Sequence, residues 1–167
     1  MKTYSLWLVP EESALSKFLK IIGDLSEKYN SPKFEPHITL LSRIEGEEDD
    51  LIKKTEELVS FLSTLTITLE SFGFSKYPHK ALYLNVKKTD ELLSAHEKAS
   101  EIYSHNAEFA PHMSLLWGTF DIDLKLKIIE ELGEQNDTFK ISSVELYDIT
   151  NEDENLWKCI EKINIKN

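Results

Sequence analysis

Two similar stretches, FEPHITLL at 34–41 and FAPHMSLL at 109–116, decide how this chain of 167 residues is interpreted. They align at an offset of 75 residues and are identical at five of eight positions. Two of the three differences, Ile38 to Met113 and Thr39 to Ser114, keep apolar and hydroxyl character. Shifted by the same 75 residues, the first predicted strand and helix fall close to a later predicted strand and helix. We therefore expect one domain, 1–167, with pseudo-symmetric halves at about 1–75 and 76–167.

Hydrophobic periodicity around the two stretches predicts the order βαβαβ, βαβαβ and a final β. Residues 11–29 carry apolar side chains at helical spacing, and Leu65, Ile67 and Leu69 alternate with polar residues as in a strand with one wet face. Strands are predicted at 3–9, 37–44, 65–70, 81–87, 112–118, 139–149 and 156–165, and helices at 11–29, about 47–62, 90–105 and 123–133.

The composition limits the class of protein and of ligand. Lys and Arg number 19 against 30 Asp and Glu, which gives a net charge of −11. Binding to an extended duplex relies on clustered cations, so we expect no such role, whereas a small anion held by local donors fits. The longest apolar runs are too short to span a membrane, the N-terminal residues do not form a signal peptide, and one cysteine cannot make an intrachain disulfide. We expect a cytoplasmic protein without a membrane anchor.

Each of the two similar stretches places an imidazole beside a hydroxyl, because residues i and i+2 share a face of a strand. His37 points with Thr39, and His112 points with Ser114. If the halves pack face to face, two imidazoles and two hydroxyls surround one cleft. With a reference pKa near 6.5, one histidine can act as general base and the other as general acid at neutral pH. Hydroxyl donors can stabilise charge on phosphate oxygens, so the set suits phosphoryl chemistry without a metal.

These residues resemble the 2H phosphoesterases, which are named for two His-x-Thr/Ser-x motifs, here HITL at 37–40 and HMSL at 112–115. Within that superfamily the chain is most similar to the cyclic phosphodiesterase branch, through YSLWLVP at 4–10, PHITLL at 36–41, PHMSLLWG at 111–118 and WKCIEKI at 157–163. The resemblance implies a bilobal α+β fold whose antiparallel sheets line a central groove with helices outside. It also implies opening of 2′,3′-cyclic or 1″,2″-cyclic phosphates without a metal or other cofactor.

Carried over residue by residue, the resemblance makes His37 and His112 the acid and base, in undetermined order, and Thr39 and Ser114 the phosphate-binding residues. It also brings Trp7 and Trp117 to the substrate, the latter where relatives often carry Tyr. Strict strand alternation puts Trp117 on the face opposite His112, unless the strand bulges or ends before Gly118.

Several other interpretations of individual residues stay open. Tyr77 lies in the connection 72–80, which could form a mobile lid that stacks a ring on a nucleobase. Ser114 could be a nucleophile, but no Gly-x-Ser-x-Gly elbow surrounds it. Arg43 shares parity with His37, but six residues of strand separate them by roughly 20 Å. A role at the groove edge is the most that this distance allows for Arg43.

The expected function is hydrolysis, by a monomer, of a small ribose cyclic phosphate, either a nucleoside 2′,3′-cyclic phosphate or ADP-ribose 1″,2″-cyclic phosphate. The nearest alternative enzyme processes RNA 3′ ends. An alternative of another class is a nucleotide-binding module without catalysis. A duplicated packing motif and a two-histidine metal site are further alternatives, although no spacing supplies the additional ligands that zinc prefers.

Overall fold

The computed structural model describes residues 1–166 and has the predicted order of elements. Its α+β class agrees with the sequence-based expectation. The strands are β1 (Thr3–Pro10), β2 (Ile38–Glu45), β3 (Thr66–Phe74), β4 (Leu82–Val86), β5 (His112–Leu116), β6 (Thr138–Asp148) and β7 (Lys158–Asn164). The helices are α1 (Glu12–Tyr29), α2 (Glu48–Phe61), α3 (Asp90–Tyr103) and α4 (Ile122–Leu132), with short 3₁₀ turns at Pro78–Lys80 and Glu154–Leu156.

Local signals explain where the helices start and stop. The buried face of α1 carries Ala14, Phe18, Ile22 and Leu25, at the spacing of one helical stripe. The helix ends at Asn30, whose φ of 51° is left-handed, a conformation that asparagine tolerates well. The side chain of Thr89 caps α3 by accepting a hydrogen bond from the backbone N–H of Leu92.

The strands form antiparallel pairs in which the third strand of each half completes the sheet of the other half. In the first half β1 pairs with β2, and its second neighbour is β6 from the second half. In the second half β4 pairs with β5, and its second neighbour is β3 from the first half. The long β6 also pairs with β7 and, through 138–140, with β3. One strand therefore joins the two lobes into a single seven-stranded sheet.

The helices pack across the boundary between the halves as well. Helix α1 contacts β5 and α3 contacts β2, so each of these helices lies against the motif strand of the other half. One continuous core of aliphatic side chains results, and it includes Ile38, Leu40, Met113 and Leu115. A small second cluster of Trp7, Val9 and Tyr147 lies apart from that core. The motif strands are thus anchored by a core that both halves share.

Matching bulges interrupt both motif strands just after the hydroxyl residue. Along β1 and β2 the register passes from Trp7 opposite Thr39 to Leu6 opposite Leu41, which leaves Leu40 as an extra residue. Along β4 and β5 it passes from Tyr83 opposite Ser114 to Leu82 opposite Leu116, which leaves Leu115 as the extra residue. A bulge shifts the residues that follow it relative to the alternating pattern. The duplicated bulge therefore decides which later side chains reach the site.

The connection between β3 and β4 is shorter than the sequence pattern predicts, because β3 continues to Phe74. The backbone N–H of Gly118 donates to the carbonyl of Pro78, and Lys125 Nζ donates to the carbonyl of Ser75. Ser75 Oγ donates to the carbonyl of Lys80 within the connection. These bonds tie the remaining turn to the rest of the second half.

Among residues 1–166, no helix combines the length and the apolar character that a membrane span needs.

Candidate active site

A cavity of about 610 Å³ lies between the two halves. Both histidines of the duplicated motifs line it, and so do both hydroxyl residues. The walls are completed by Ser5, Trp7, Ser42, Arg43, His79, Trp117, Ile149, Thr150, Asn151, Glu152, Glu154 and Trp157. The structure thus brings His37, Thr39, His112 and Ser114 to one cleft, together with Trp7 and Trp117.

Both motif imidazoles are held by the same hydrogen bond. His37 Nδ1 lies 2.7 Å from the carbonyl oxygen of Glu35, and His112 Nδ1 lies 2.8 Å from that of Ala110. A carbonyl oxygen only accepts, so Nδ1 carries the proton and donates in both rings. In a neutral ring Nε2 is then a free acceptor, and in a protonated ring it is a donor. Each histidine therefore offers Nε2 for proton transfer.

The His37 ring is packed in a column of aromatic rings. It lies flat on Trp7, with centroids 3.7 Å apart, and the other face of Trp7 lies on Tyr147, also at 3.7 Å. The Tyr147 hydroxyl donates to Glu35 Oε2 at 2.8 Å, and Glu35 is also the residue whose carbonyl holds His37. Only 9% of His37 is exposed, and this burial lowers its pKa to about 4. The ring is consequently neutral at pH 7.

His112 has a more open setting. It is half-buried, and Tyr83 meets its ring edge-on with centroids 5.3 Å apart. Burial lowers the pKa of His112, the bond to Ala110 opposes that change, and the charges of Lys80 and His79 add to the lowering. The two motifs therefore place identical side chains in different environments, with His112 more open to solvent.

The two hydroxyls also differ. Ser114 Oγ donates to the carbonyl of His79 at 3.2 Å, which holds it at the wall formed by the Pro78–Lys80 turn. Within residues 1–166 the Thr39 hydroxyl has no hydrogen-bond partner, so it is free to turn toward a ligand in the cavity. Both groups lie two residues after a motif histidine, on the cavity side.

All three tryptophans of the chain lie at this cavity. Trp157 meets Trp117 edge-on at 5.3 Å and is tilted against Trp7 at 6.0 Å. Trp117 reaches the cavity because of the bulge at Leu115 and because β5 ends at Leu116, which strict alternation could not predict. Its Nε1 is buried without a hydrogen-bond partner among the described residues. That indole N–H is therefore a donor without an acceptor, and its ring is part of the cavity wall.

The structure differs from what the sequence suggested for Tyr77 and for Arg43. Tyr77 is 56% exposed and does not line the cavity, while His79, on which its ring stacks at 6.1 Å, does. Arg43 lines the cavity although strand length argued for a large separation from His37. The pairing of β2 with β1 is irregular at two points, so β2 is not the regular strand that this separation assumes. Trp157 also lines the cavity, although within the stretch WKCIEKI at 157–163 no local signal distinguishes it as a site residue.

Among residues 1–166, no three His, Cys, Asp or Glu side chains are grouped so that they could hold a metal ion.

Comparison with known proteins identifies the family of this chain. The family model described as "Cyclic phosphodiesterase-like protein" matches residues 1–165. The chain belongs to this family. The match confirms the resemblance to the cyclic phosphodiesterase branch of the 2H phosphoesterases and the expectation that the chain is an enzyme. The Cyclic phosphodiesterase of Arabidopsis thaliana is 24% identical over 171 residues, which cover 97% of this chain and 94% of that protein.

Solved structures share the fold of this family member. LigT of E. coli, crystallised with 3′-AMP, has a TM-score of 0.64 at 11% identity and is matched over 99% of both chains. The protein TT0787 of Thermus thermophilus has a TM-score of 0.65 at 12% identity, over 98% of this chain and 97% of that one. At these identities the comparison speaks for the fold, and it agrees with the α+β architecture described above.

Proposed function

We propose that this cyclic phosphodiesterase-like protein hydrolyses a small ribose cyclic phosphate to a phosphomonoester, using His37 and His112 as a general base and a general acid. The observation that carries the proposal is the matched pair of Nδ1–H bonds to Glu35 and Ala110, which leaves Nε2 of both rings available at one cavity. The substrate is a nucleoside 2′,3′-cyclic phosphate or ADP-ribose 1″,2″-cyclic phosphate. No metal or cofactor takes part, and a single chain supplies the whole site.

The proposed reaction is an in-line displacement at phosphorus. A water oxygen forms a new bond to phosphorus while the bond from phosphorus to one ribose oxygen breaks. One imidazole takes the proton from the water, and the other gives its proton to the departing ribose oxygen, so the products are a phosphomonoester and a free hydroxyl. Thr39 is a donor for the nonbridging oxygens, where negative charge grows, and Ser114 becomes a second donor when its hydroxyl turns from the His79 carbonyl to the phosphate.

The different settings of the histidines favour one assignment of roles. A general base must be neutral before the reaction, and the buried His37 with its pKa of about 4 meets that condition at pH 7. A general acid must carry a proton, and a bound phosphate anion favours protonation of the more open His112. We therefore assign the base to His37 and the acid to His112.

Ligands named for structural neighbours fit a small nucleotide. LigT of E. coli has been crystallised with 3′-AMP, with ATP and with phosphate. The cavity of about 610 Å³ falls in the size range of small-molecule sites, and the net charge of −11 disfavours long polyanions. Both features support a small substrate over an RNA 3′ end. A binding module without catalysis is separated from an enzyme by turnover, which the test below measures.

The decisive test assays His37→Ala and His112→Ala separately against both cyclic phosphates and a cyclic-phosphate-ended oligonucleotide, with products identified by phosphorus NMR. We expect each change to lower kcat by about 10²- to 10⁴-fold, the usual scale for a positioned acid or base. Lys53→Ala, an exposed change on α2, is the control, and thermal unfolding checks that the variants fold. Near-normal turnover by either histidine variant would refute shared catalysis, and loss of activity in EDTA would point to a metal.

A further inference from the structure

Arg43 has a backbone conformation that is unfavourable for its residue type. Its φ is 57°, in the left-handed region where a side chain larger than that of glycine or asparagine is strained. The residue at the matching position of the second half, 75 residues later, is Gly118, which also has a positive φ, of 135°. The fold therefore needs a special conformation at this position in both halves, and only the first half places a large side chain there.

The guanidinium of Arg43 is unpaired. The chain has 30 acidic residues, yet Arg43 makes no ion pair and no side-chain hydrogen bond with residues 1–166. Several exposed lysines do form such pairs, as Lys2 with Glu48 and Lys17 with Asp137 illustrate. The strained backbone of Arg43 is therefore not offset by an ion pair or hydrogen bond of its side chain that would stabilise the fold. Backbone strain of this kind concentrates at functional sites.

Arg43 lies where the active-site cavity meets a neighbouring one. The second cavity, of about 420 Å³, shares Thr39, Ser42, Arg43 and His112 with the first. Its wall adds Lys80 and the imidazoles of His96 and His105, against one carboxylate, Glu108. Lys80 Nζ lies 4.4 Å from the centre of the Tyr83 ring, next to His112. In a protein with a net charge of −11, this is a local concentration of cationic and imidazole groups beside the phosphate site.

We propose that Arg43 binds a second phosphate of the substrate, the one attached to the 5′ oxygen of the ribose that carries the cyclic phosphate, with the rest of the substrate extending into the cavity lined by Lys80. The proposal rests on the function proposed above and narrows its substrate class. A planar guanidinium matches two phosphate oxygens at once, and such charge-assisted pairs are stronger than neutral hydrogen bonds. A 5′-monophosphate and the diphosphate of ADP-ribose present the same chemistry, and the net charge of −11 favours such a small substrate over a long RNA.

The test compares adenosine 2′,3′-cyclic phosphate with the same compound bearing a 5′-phosphate. Arg43→Asn removes the charge and keeps a residue that tolerates the left-handed conformation, and Arg43→Lys keeps a charge. We expect Arg43→Asn to lower the ratio of kcat/KM for the 5′-phosphorylated over the plain substrate by about 10- to 100-fold, the scale of a charged hydrogen bond. Arg43→Lys should restore part of that ratio. Lys53→Asn, which removes an exposed charge on α2, should leave the ratio unchanged.

Two further substrates separate the sources of the second phosphate. ADP-ribose 1″,2″-cyclic phosphate should lose as much kcat/KM in Arg43→Asn as the 5′-monophosphate does. If Arg43→Asn lowers kcat/KM only for a cyclic-phosphate-ended dinucleotide, Arg43 serves RNA and our proposal is wrong. An unchanged ratio for every pair would also overturn it, as would equal losses with and without the 5′-phosphate.

A binding measurement keeps this inference independent of turnover. Adenosine 3′,5′-bisphosphate should bind the wild-type protein more tightly than 3′-AMP does, and Arg43→Asn should remove that preference in calorimetric titrations. If the preference is present but no cyclic phosphate is hydrolysed, the proposed function fails and the phosphate subsite stands. If cyclic phosphates are hydrolysed without such a preference, the proposed function stands and the subsite fails.

Discussion

At the scale of single residues, the two motif histidines show how one hydrogen bond can be kept while its surroundings change. His37 has Glu35 two positions before it and Trp7 against its face, whereas His112 has Ala110 and the edge of Tyr83. The Glu35 side chain accepts a hydrogen bond from the Tyr147 hydroxyl, and the Tyr147 ring stacks on the face of Trp7 that is turned away from His37. This support fixes the ring of His37 and removes it from water. The same support is missing at His112.

This difference predicts a bell-shaped dependence of kcat/KM on pH. The base His37 must be neutral, so activity should fall as pH drops through its pKa of about 4. The acid His112 must be protonated, so activity should fall as pH rises through its pKa, which lies below the usual 6.5. A pH series of kcat/KM from about pH 3.5 to 9 measures both limbs. A flat profile over that range would contradict paired acid-base action.

The burial of His37 also predicts a dependence of stability on pH. Its folded-state pKa of about 4 lies below the value of 6.5 expected after unfolding, so the unfolded chain binds an extra proton between these values. The contribution of His37 is thus fully present above pH 6.5 and is lost as pH falls toward 4. The loss is about 3 kcal/mol by the usual conversion of pKa shifts. Denaturant unfolding of wild type and His37→Gln at pH 7 and about pH 4.5 should show a smaller acid loss in the variant. An equal loss in both proteins would show that other groups are responsible.

At the scale of elements, the bulges after Thr39 and Ser114 explain which parts of the site could be predicted. Periodicity gave the helices and most strand limits, and the duplicated motif gave both histidines and both hydroxyls as one set. Neither periodicity nor the duplicated motif predicts a bulge, because both assume regular alternation along the strand. In the structure the neighbours Leu40 and Leu41 are both buried, and so are Leu115 and Leu116. The positions of Trp117 and Arg43 follow from the bulges. For that reason strand alternation alone could not decide whether Trp117 reaches the site, and the separation from His37 along a regular strand argued against Arg43.

The residue with positive φ that follows each bulge, Arg43 in β2 and Gly118 after β5, allows a test of backbone demand. Gly118 has a φ of 135°, and a Cβ there would press on the Phe120 ring, so Gly118→Ala should lower the free energy of unfolding by about 2–3 kcal/mol. Gly133, with a φ of 68°, a ψ of −173° and open space around it, is the control for backbone strain without a clash, and Gly133→Ala should cost about 1–2 kcal/mol. Arg43→Gly should change stability by less than about 1 kcal/mol, because relieved strain offsets the added freedom of the unfolded chain. Urea unfolding measures all three, and equal costs for Gly118→Ala and Gly133→Ala would contradict the role of Phe120.

At the scale of the whole molecule, the exchanged third strands show the limit of interpreting the chain as two halves. The repeat predicts two similar sets of elements, but its offset does not say which sheet the last strand of each set joins. Strand β3 pairs with β4 and strand β6 pairs with β1, so each lobe contains strands from both halves. Pairing between distant strands depends on global packing, which leaves no local mark on the sequence.

The exchange predicts how fragments behave. A peptide of residues 1–75 lacks the strand that covers β1, and its β3 has no partner, so we expect it to be largely unfolded by circular dichroism. The complementary peptide 76–167 keeps the pairs β4–β5 and β6–β7 but lacks β3 and β1, the other neighbours of β4 and β6, so we expect it to be largely unfolded as well. Mixed together, the two should regain native-like spectra and some turnover. Independent folding of either peptide would show that the halves are self-sufficient units.

The crossing of β3 and β6 has a consequence for how freely the two motif sites can differ. A single copy of this unit would need a twin chain to fill its sheet, and two such copies would form a dimer with interlocked strands. In such a dimer every substitution would change both histidine sites alike. One continuous chain has no such constraint, and here Glu35 and Arg43 stand where the second copy has Ala110 and Gly118, so the two motif sites can be tuned separately.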